Sequence, residues 1–313
     1  MSIRLGLGAT VPALTDPKAF WAFVELCEES GVDSLWQSDR LVSKDPQFES
    51  MSVMAALAGG TDRIKFGMNA VVLGYRDPLV LAKQCATIDQ LSGGRLLPVF
   101  GVGAPSNAEW DATGRGTKGR GVRGNEVLEI ITRLWTEDEV TFEGRFFTYK
   151  NAKISPKPKQ TQLPVWIGGN SEAAVKRTAR LGTGWLGGLA TPATTQRVIS
   201  HVKEAVQEYG RSIDDDHYGV TVPFRFGTLD DAPAQRTVKT VSARRMDGFD
   251  PRESLAVGNS NDIISLLKRH VEAGASKFVM LPMAADADDV MDQTQRLIAE
   301  VMPEIEDRQP RAA

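Results

Sequence analysis

Few side chains in this 313-residue chain are placed to react. It holds three histidines and two cysteines. His201 and His270 fall within predicted helices and His217 at the start of a predicted strand, while Cys27 and Cys85 lie on helical stripes. No histidine metal site and no Cys–His nucleophile follows from that spacing, so no metal is expected. Lys65 and Lys277 open predicted strands, the wrong end for a Schiff base in a barrel enzyme. What remains at the strand ends is sparse: Asp39 and Arg40 after the second strand, Asn69 to Val72 late in the third, Ser106, Asn107 and Glu109 after the fourth, and Gly168, Gly169 and Asn170 after the fifth. A site so poor in reactive groups takes its reactivity from a cofactor.

Two segments suit an anionic ligand. Gly168-Gly169-Asn170-Ser171 stands where a strand ends and a helix begins, so backbone N–H groups could converge on a phosphate with no Cβ in the way; the same string also makes a plain tight turn. Arg115, Lys118, Arg120 and Arg123 place four cations in nine residues, with no acid between Asp111 and Glu126. That loop either steers an anion or is simply solvated.

The elements that must position these residues alternate. The apolar run Ile3 to Ala9 precedes a helix capped by Asp16, opened by Pro17 and closed by Gly31, with Phe20, Phe23, Val24 and Cys27 on one face. The pattern recurs: SLWQSD before a helix near Gln47 to Ala58, IKFGMNAVV before one opened by Asp77 and Pro78, and LLPVFGVG before one carrying Val127, Ile130, Ile131, Leu134 and Trp135. PVWIGG, GWLGGLA, YGVTVPFRFG and KFVMLPM complete eight strands and eight helices. Strands apolar throughout belong to a parallel sheet covered on both faces, and eight such units predict a closed (β/α)₈ TIM barrel, an α/β fold. A single domain over residues 1–313 is expected, with insertions at 104–121, 137–163 (a short hairpin around Glu143-Gly144-Arg145) and 228–258. An open doubly wound sheet is the structural alternative, but the first strand lacks the spaced-glycine fingerprint of a dinucleotide fold.

With 37 Lys and Arg against 40 Asp and Glu, the formal net charge is −3. A dedicated nucleic-acid binder and a membrane-spanning chain are both disfavoured. The N-terminal segment lacks the unbroken apolar core of a signal peptide, and two cysteines cannot build a disulfide framework, so a reduced, cytoplasmic protein is expected.

Several strings together, SLWQSDR, YRDPLVLAKQCATIDQLSGGRL with FGVG, RGVRGNEVLEIITRLWTEDEVTFEGRFF, PVWIGGNSEAAVKRTARLGTGWL and AVGNSNDIISLLKRHVEAGASKFVM, resemble the luciferase-like monooxygenase superfamily over nearly the whole chain. The resemblance implies a barrel binding FMN or the deazaflavin coenzyme F420, and is greater to the deazaflavin branch. It implies a bulge with a non-proline cis bond in strand three, matched to Ala70 and Val71, backing the ring, and a phosphate turn at Gly168, Gly169 and Asn170. Trp185 is expected in barrel packing, with a ring contact as the alternative. Where family members with WxSDH carry a histidine beside the ring, this chain has Arg40, and the acid that some members use after strand four falls on or near Ser106.

The expected function is hydride transfer between F420 and a small organic substrate. Arg40 and Ser106 are the candidate catalytic residues, and Asp39, Arg40, Ala70, Val71, Gly168, Gly169 and Asn170 the candidate cofactor contacts. Arg40 either stabilises a developing oxyanion or forms a salt bridge with Asp39 or a neighbouring carboxylate. The alternatives are an FMN-dependent two-component monooxygenase, supplied by a reductase partner, and a catalytically silent flavin-binding protein. A homodimer is expected by analogy with the family.

Overall fold

In a computed structural model, which describes residues 2–243 and 250–306, eight parallel strands close into a barrel with helices outside. The strands are Arg4–Gly8, Ser34–Gln37, Lys65–Met68 continued by Val71–Val72, Leu96–Leu97 continued by Val99–Gly101, Trp166–Gly168, Gly184–Gly187, Tyr218–Phe226 and Lys277–Pro282. Closure is visible in the register. The first strand pairs with the second and the eighth (Gly6 with Ser34 and with Val279), and the third pairs with the fourth along both halves. The eight-strand expectation holds and the open-sheet alternative does not.

Strand three carries a bulge. Gly67 pairs with Leu97 but Val71 pairs with Phe100, so three residues on one strand oppose two on the other. The cis peptide bond lies between Asn69 and Ala70, one residue earlier than the expected Ala70–Val71, because Val71 has already returned to the ladder. Asn69 Nδ2 donates to Thr221 Oγ1 at 2.9 Å, joining strand three to strand seven across the interior.

The interior is filled from below by Trp36, Val99, Trp166, Leu186 and Val279, with Ala70, Leu97 and Leu281 packed against them. Trp36 fits because strand three has Gly67 beside it: a Cβ there would stand 2.2 Å from Leu97 O and 2.6 Å from the indole. Lys277 donates to Asp33 at the strand beginnings, far from where barrel chemistry sits. The second, larger core lies between sheet and helices and takes in Phe20, Phe23, Val24 and Cys27 of the helix Pro17–Glu29, and Val127, Ile130, Ile131 and Leu134 of the helix Arg120–Thr136. Both cysteines are buried, and burial pushes the Cys85 thiol up to about 12 and that of Cys27 higher still, so neither is a nucleophile at neutral pH.

The expected insertions carry more structure than loops. Residues 104–121 contain the helix Glu109–Ala112, residues 137–163 the antiparallel hairpin Val140–Glu143 with Thr148–Ala152, and residues 228–258 the helices Ala232–Ser242 and Pro251–Ser254 and the strand Ala256–Gly258. The part of the last insertion at 244–249 lies outside the described residues. Among the described residues, no helix is long and apolar enough to cross a membrane.

Candidate coenzyme and substrate site

The C-terminal ends of strands three, four and five meet in small residues. A Cβ built on Gly168 would lie 3.4 Å from the Ala70 methyl, and one on Gly101 3.7 Å from it. Ala70 and Gly168, 98 positions apart in the chain, are therefore neighbours on one floor, and the pairing of Val71 with Phe100 holds them in register. Val71 itself is fully buried in the outer core and does not join that floor. A planar ring fits a surface with no projecting side chain, whereas larger groups at these positions would fill it.

At the edge of the floor the chain turns. Gly169 takes φ +114°, a conformation costly for any residue with a Cβ, and Trp185 Nε1 donates to its carbonyl at 2.8 Å. Trp185 is fully buried, so it packs the barrel and fixes this turn. Asn170 Nδ2 donates to Gly188 O at 3.2 Å, while its Oδ1 is enclosed with no hydrogen-bond partner. Ser171 caps the helix Glu172–Leu181 by accepting from Ala174 N. Behind the turn lies Arg177, which the sequence did not single out. It is 9% exposed, donates to Asn125 Oδ1 at 2.8 Å and to the carbonyls of Gly121 and Ala173, and its pKa is pushed down by burial. Among the described residues no carboxylate comes within ion-pair distance of it.

Asp39 and Arg40 are neighbours in sequence with separate partners. The Asp39 side chain is fully enclosed; it accepts from Arg76 Nη1 at 2.6 Å and Nη2 at 2.7 Å, from Ser50 Oγ and from Val72 N at 2.9 Å. Arg76 also donates to Glu49 at 2.7 Å, and although burial opposes its charge, the bonds to Asp39 and Glu49 hold its pKa above the usual value. Asp39 is thus engaged with Arg76 and the strand after the bulge, and Arg40 does not pair with it.

Arg40 instead faces Glu109, with Nη1 3.6 Å from Oε1. The Arg40 side chain is about a third exposed and that of Glu109 1%. Glu109 Oε1 is enclosed and accepts no hydrogen bond. Glu109 stands three residues beyond Ser106, which lies exposed on the connecting loop. The short helix Glu109–Ala112 makes the difference: it turns Glu109 inward and seats Trp110 edge-on against Tyr75, 4.7 Å between centroids, with Val72 completing a small apolar wall. Tyr75 Oη accepts from Asn107 Nδ2 at 3.0 Å, and burial pushes its pKa up. Glu109 was readable as a strand-end acid, but its pairing depends on a four-residue helix that carries no periodic signal.

The arrangement offers a flat apolar floor, a glycine turn opening onto a helix N-terminus, and one donor–acceptor pair at the mouth. It suits a planar ring bearing a phosphate and a substrate oxygen that exchanges a proton. His201, His217 and His270 take no part in it.

Known proteins share this fold. Residues 2–297 match the model of the luciferase-like monooxygenase family. An uncharacterized protein of Mycobacterium tuberculosis is 33% identical over 168 residues, 53% of this chain and 57% of that one; the chain thus matches little more than half the length of that relative. An F420-dependent glucose-6-phosphate dehydrogenase of Microbacterium testaceum is 25% identical over 302 residues, 90% of this chain and 84% of the relative. Among solved structures, an F420-dependent secondary alcohol dehydrogenase in complex with an F420–acetone adduct superposes with TM-score 0.81 at 19% identity, covering 98% and 100% of the two chains. The oxygenating constituent of 3,6-diketocamphane monooxygenase from Pseudomonas putida, in complex with FMN, gives 0.80 at 20% identity over 97% and 99%. With a closed barrel, a bulged third strand and a glycine turn after the fifth, and with the family model spanning all of them, this chain belongs to the luciferase-like monooxygenase family.

Proposed function

We propose that the protein is an F420-dependent oxidoreductase acting on a hydroxyl or carbonyl group of a small organic molecule. The observation that carries this reading is Glu109 Oε1, enclosed and without a hydrogen bond, 3.6 Å from a guanidinium at the barrel mouth. Buried polar atoms are normally satisfied, and one left open beside a cation is the acceptor half of a site whose donor arrives with the substrate.

The fit to a deazaflavin rests on the floor of Ala70, Gly101 and Gly168, which would back the ring, and on Gly168, Gly169 and Asn170 with the first turn of Glu172–Leu181, which would hold the phosphate. The bound coenzyme supplies a carbon that accepts or delivers a hydride. The protein's own residues do the rest. Glu109 Oε1 takes the proton of a substrate hydroxyl and returns it in the reverse direction. Arg40 stays protonated and donates to the same oxygen as charge develops on it. Asp39 and Arg76 fix the strand that bears Ala70, and Val72, Tyr75 and Trp110 shield one side from water. Ser106 lies farther out, as a contact for the outer part of a substrate.

The FMN reading, with a reductase partner, uses the same floor and turn. Titration of the purified protein with each coenzyme separates them. Tight binding of F420, with substrate-dependent reduction lost in Glu109→Gln, is expected. Tight FMN binding with no affinity for F420 overturns the assignment, and retention of F420 with no hydride exchange across a broad alcohol and carbonyl panel points to the silent binding protein instead.

A further inference from the structure

A cleft of about 270 Å³ opens at the other end of the barrel from the candidate coenzyme and substrate site. It lies between the last turns of the helices Arg120–Thr136 and Glu172–Leu181, the connector 158–165 that leads into strand five, and Arg211, which precedes strand seven. Trp135 and Leu163, both buried, give it an apolar wall. Arg133, Arg180 and Arg211 line it together with threonines and glutamines, and no Asp or Glu is among the described residues that line it. Drug-sized ligands occupy about 300 to 1,000 Å³, so this space suits one ring with a charged group.

The walls are fixed by buried bonds. Gln160 ties the connector to the enclosed Asp89, through its backbone N at 2.9 Å and its Nε2 at 2.7 Å. Trp135 Nε1 donates to Ala82 O at 3.0 Å. Helix C-termini carry partial negative charge, which would repel an anion, but here cations already cover them. Arg211 donates from Nη1 to Ala179 O at 2.6 Å and from Nη2 to Gly182 O at 2.7 Å, and Lys157 Nζ donates to Leu134 O at 2.8 Å and to Glu137 O.

The three arginines differ in how well they are neutralised. Arg133 is paired with Glu137 at 2.8 Å, whereas Arg180 has only Glu129 at 3.6 Å, with both side chains near half exposure. Arg211 has no carboxylate partner among the described residues, and burial alone pushes its pKa down. Bonded only to carbonyls, it keeps its full charge and has N–H groups left for a ligand. Thr183 Oγ1 accepts from Val165 N at 2.8 Å, which leaves its hydroxyl hydrogen free to donate. A partly desolvated cation without a counter-ion is costly, and an anion seated beside it removes that cost.

We propose that this cleft binds a small organic anion at a site separate from the barrel mouth, with a carboxylate or phosphate on Arg211 and Arg180 and an apolar body against Trp135 and Leu163. The site stands whether or not the proposed function does. Its occupant would join the C-terminal ends of the same two helices whose opposite ends Arg177 links through Gly121 O and Asn125 Oδ1.

The test titrates the whole protein by calorimetry with benzoate, phenyl phosphate and the neutral benzamide. One site per chain is expected for the anions, with a dissociation constant of about 1 mM or below for the better of the two, and benzamide is expected to bind at least about tenfold more weakly. Which anion binds more tightly tells a carboxylate site from a phosphate site. Arg211→Gln is expected to weaken anion binding about tenfold or more. Because Arg211 also caps a helix, Arg180→Gln, at an exposed position, supplies a second reading, with an expected loss of about two- to fivefold. Arg40→Gln, at the barrel mouth, leaves anion affinity unchanged. Absence of saturable binding, equal affinity for benzoate and benzamide, or anion binding that survives both Arg211→Gln and Arg180→Gln but is lost in Arg40→Gln overturns the proposal.

Discussion

At the residue scale the proposed chemistry rests on a pair with unequal properties. Arg40 holds a permanent charge and Glu109 is the only enclosed, unbonded carboxylate oxygen among the described residues, so one can stabilise charge and the other can move a proton. Glu109→Gln keeps the shape and removes the proton acceptor; turnover is expected to fall by about 10² to 10⁴ with F420 affinity retained, measured by stopped-flow reduction beside equilibrium titration. Arg40→Ala is expected to cost about 10² to 10³ in turnover, more than it costs in coenzyme affinity, and Arg40→Lys to restore part of the loss. Unchanged turnover in Arg40→Ala would remove it from the mechanism. The sequence made both residues visible as polar groups at strand ends. It did not join them, because residues 40 and 109 meet only through the folding of two loops over different strands, and the alternatives of Asp39 and Ser106 were closer in the chain or in the family pattern.

At the scale of elements, the third strand is the one most dependent on its supports. After the bulge only Val71 and Val72 pair with strand four, and the N–H of Val72 is spent on Asp39 rather than on a strand. Asp39 in turn is the main anchor of Arg76, which is 11% exposed at its side chain. Asp39→Asn leaves a buried guanidinium with Glu49 alone, and a cost of about 3 kcal/mol is expected by urea unfolding, together with weaker coenzyme binding because Ala70 is no longer held in place. Glu49→Gln, at the half-exposed end of the same network, is expected to cost about 1 kcal/mol or less. A loss of stability without any loss of affinity would separate this support from the floor. The regular helices were legible from Asp16, Asp77 and Ser171, each of which caps where the pattern placed it. The break in strand four was not, and the one in strand three came from the family resemblance alone, since periodicity marks which residues are apolar and not where a ladder slips by one residue.

For the molecule as a whole, one buried ring couples stability to pH. His270 lies between the helices Pro192–Glu208 and Ser260–Glu272, with Nδ1 3.1 Å from Thr195 Oγ1 and Nε2 unbonded, and burial, with Arg269 adding to it, lowers its pKa from 6.5 to about 4. The neutral ring is the form the fold accepts. Above pH 6.5 neither state takes the proton; as pH falls from there the unfolded chain binds it first, so stability is lost between about pH 6.5 and 4, by up to about 3 kcal/mol. Unfolding midpoints measured at pH 7.5 and 5 are expected to differ less in His270→Phe than in the wild type, and identical differences would exclude the ring as the cause. The closed barrel was legible because eight apolar strands, each followed by a helix, have few other ways to cover both faces of a parallel sheet.

The hydrogen bond from Asn69 to Thr221 spans the lumen between opposite strands, just above the packed Trp36 and Trp166. It acts as a crossbar that fixes how deep any guest can sink. A larger or longer molecule has no room to gain downward, so a change of substrate in this lineage must be accommodated outward, by the segments that rise around the opening, while the staves of the barrel stay the same.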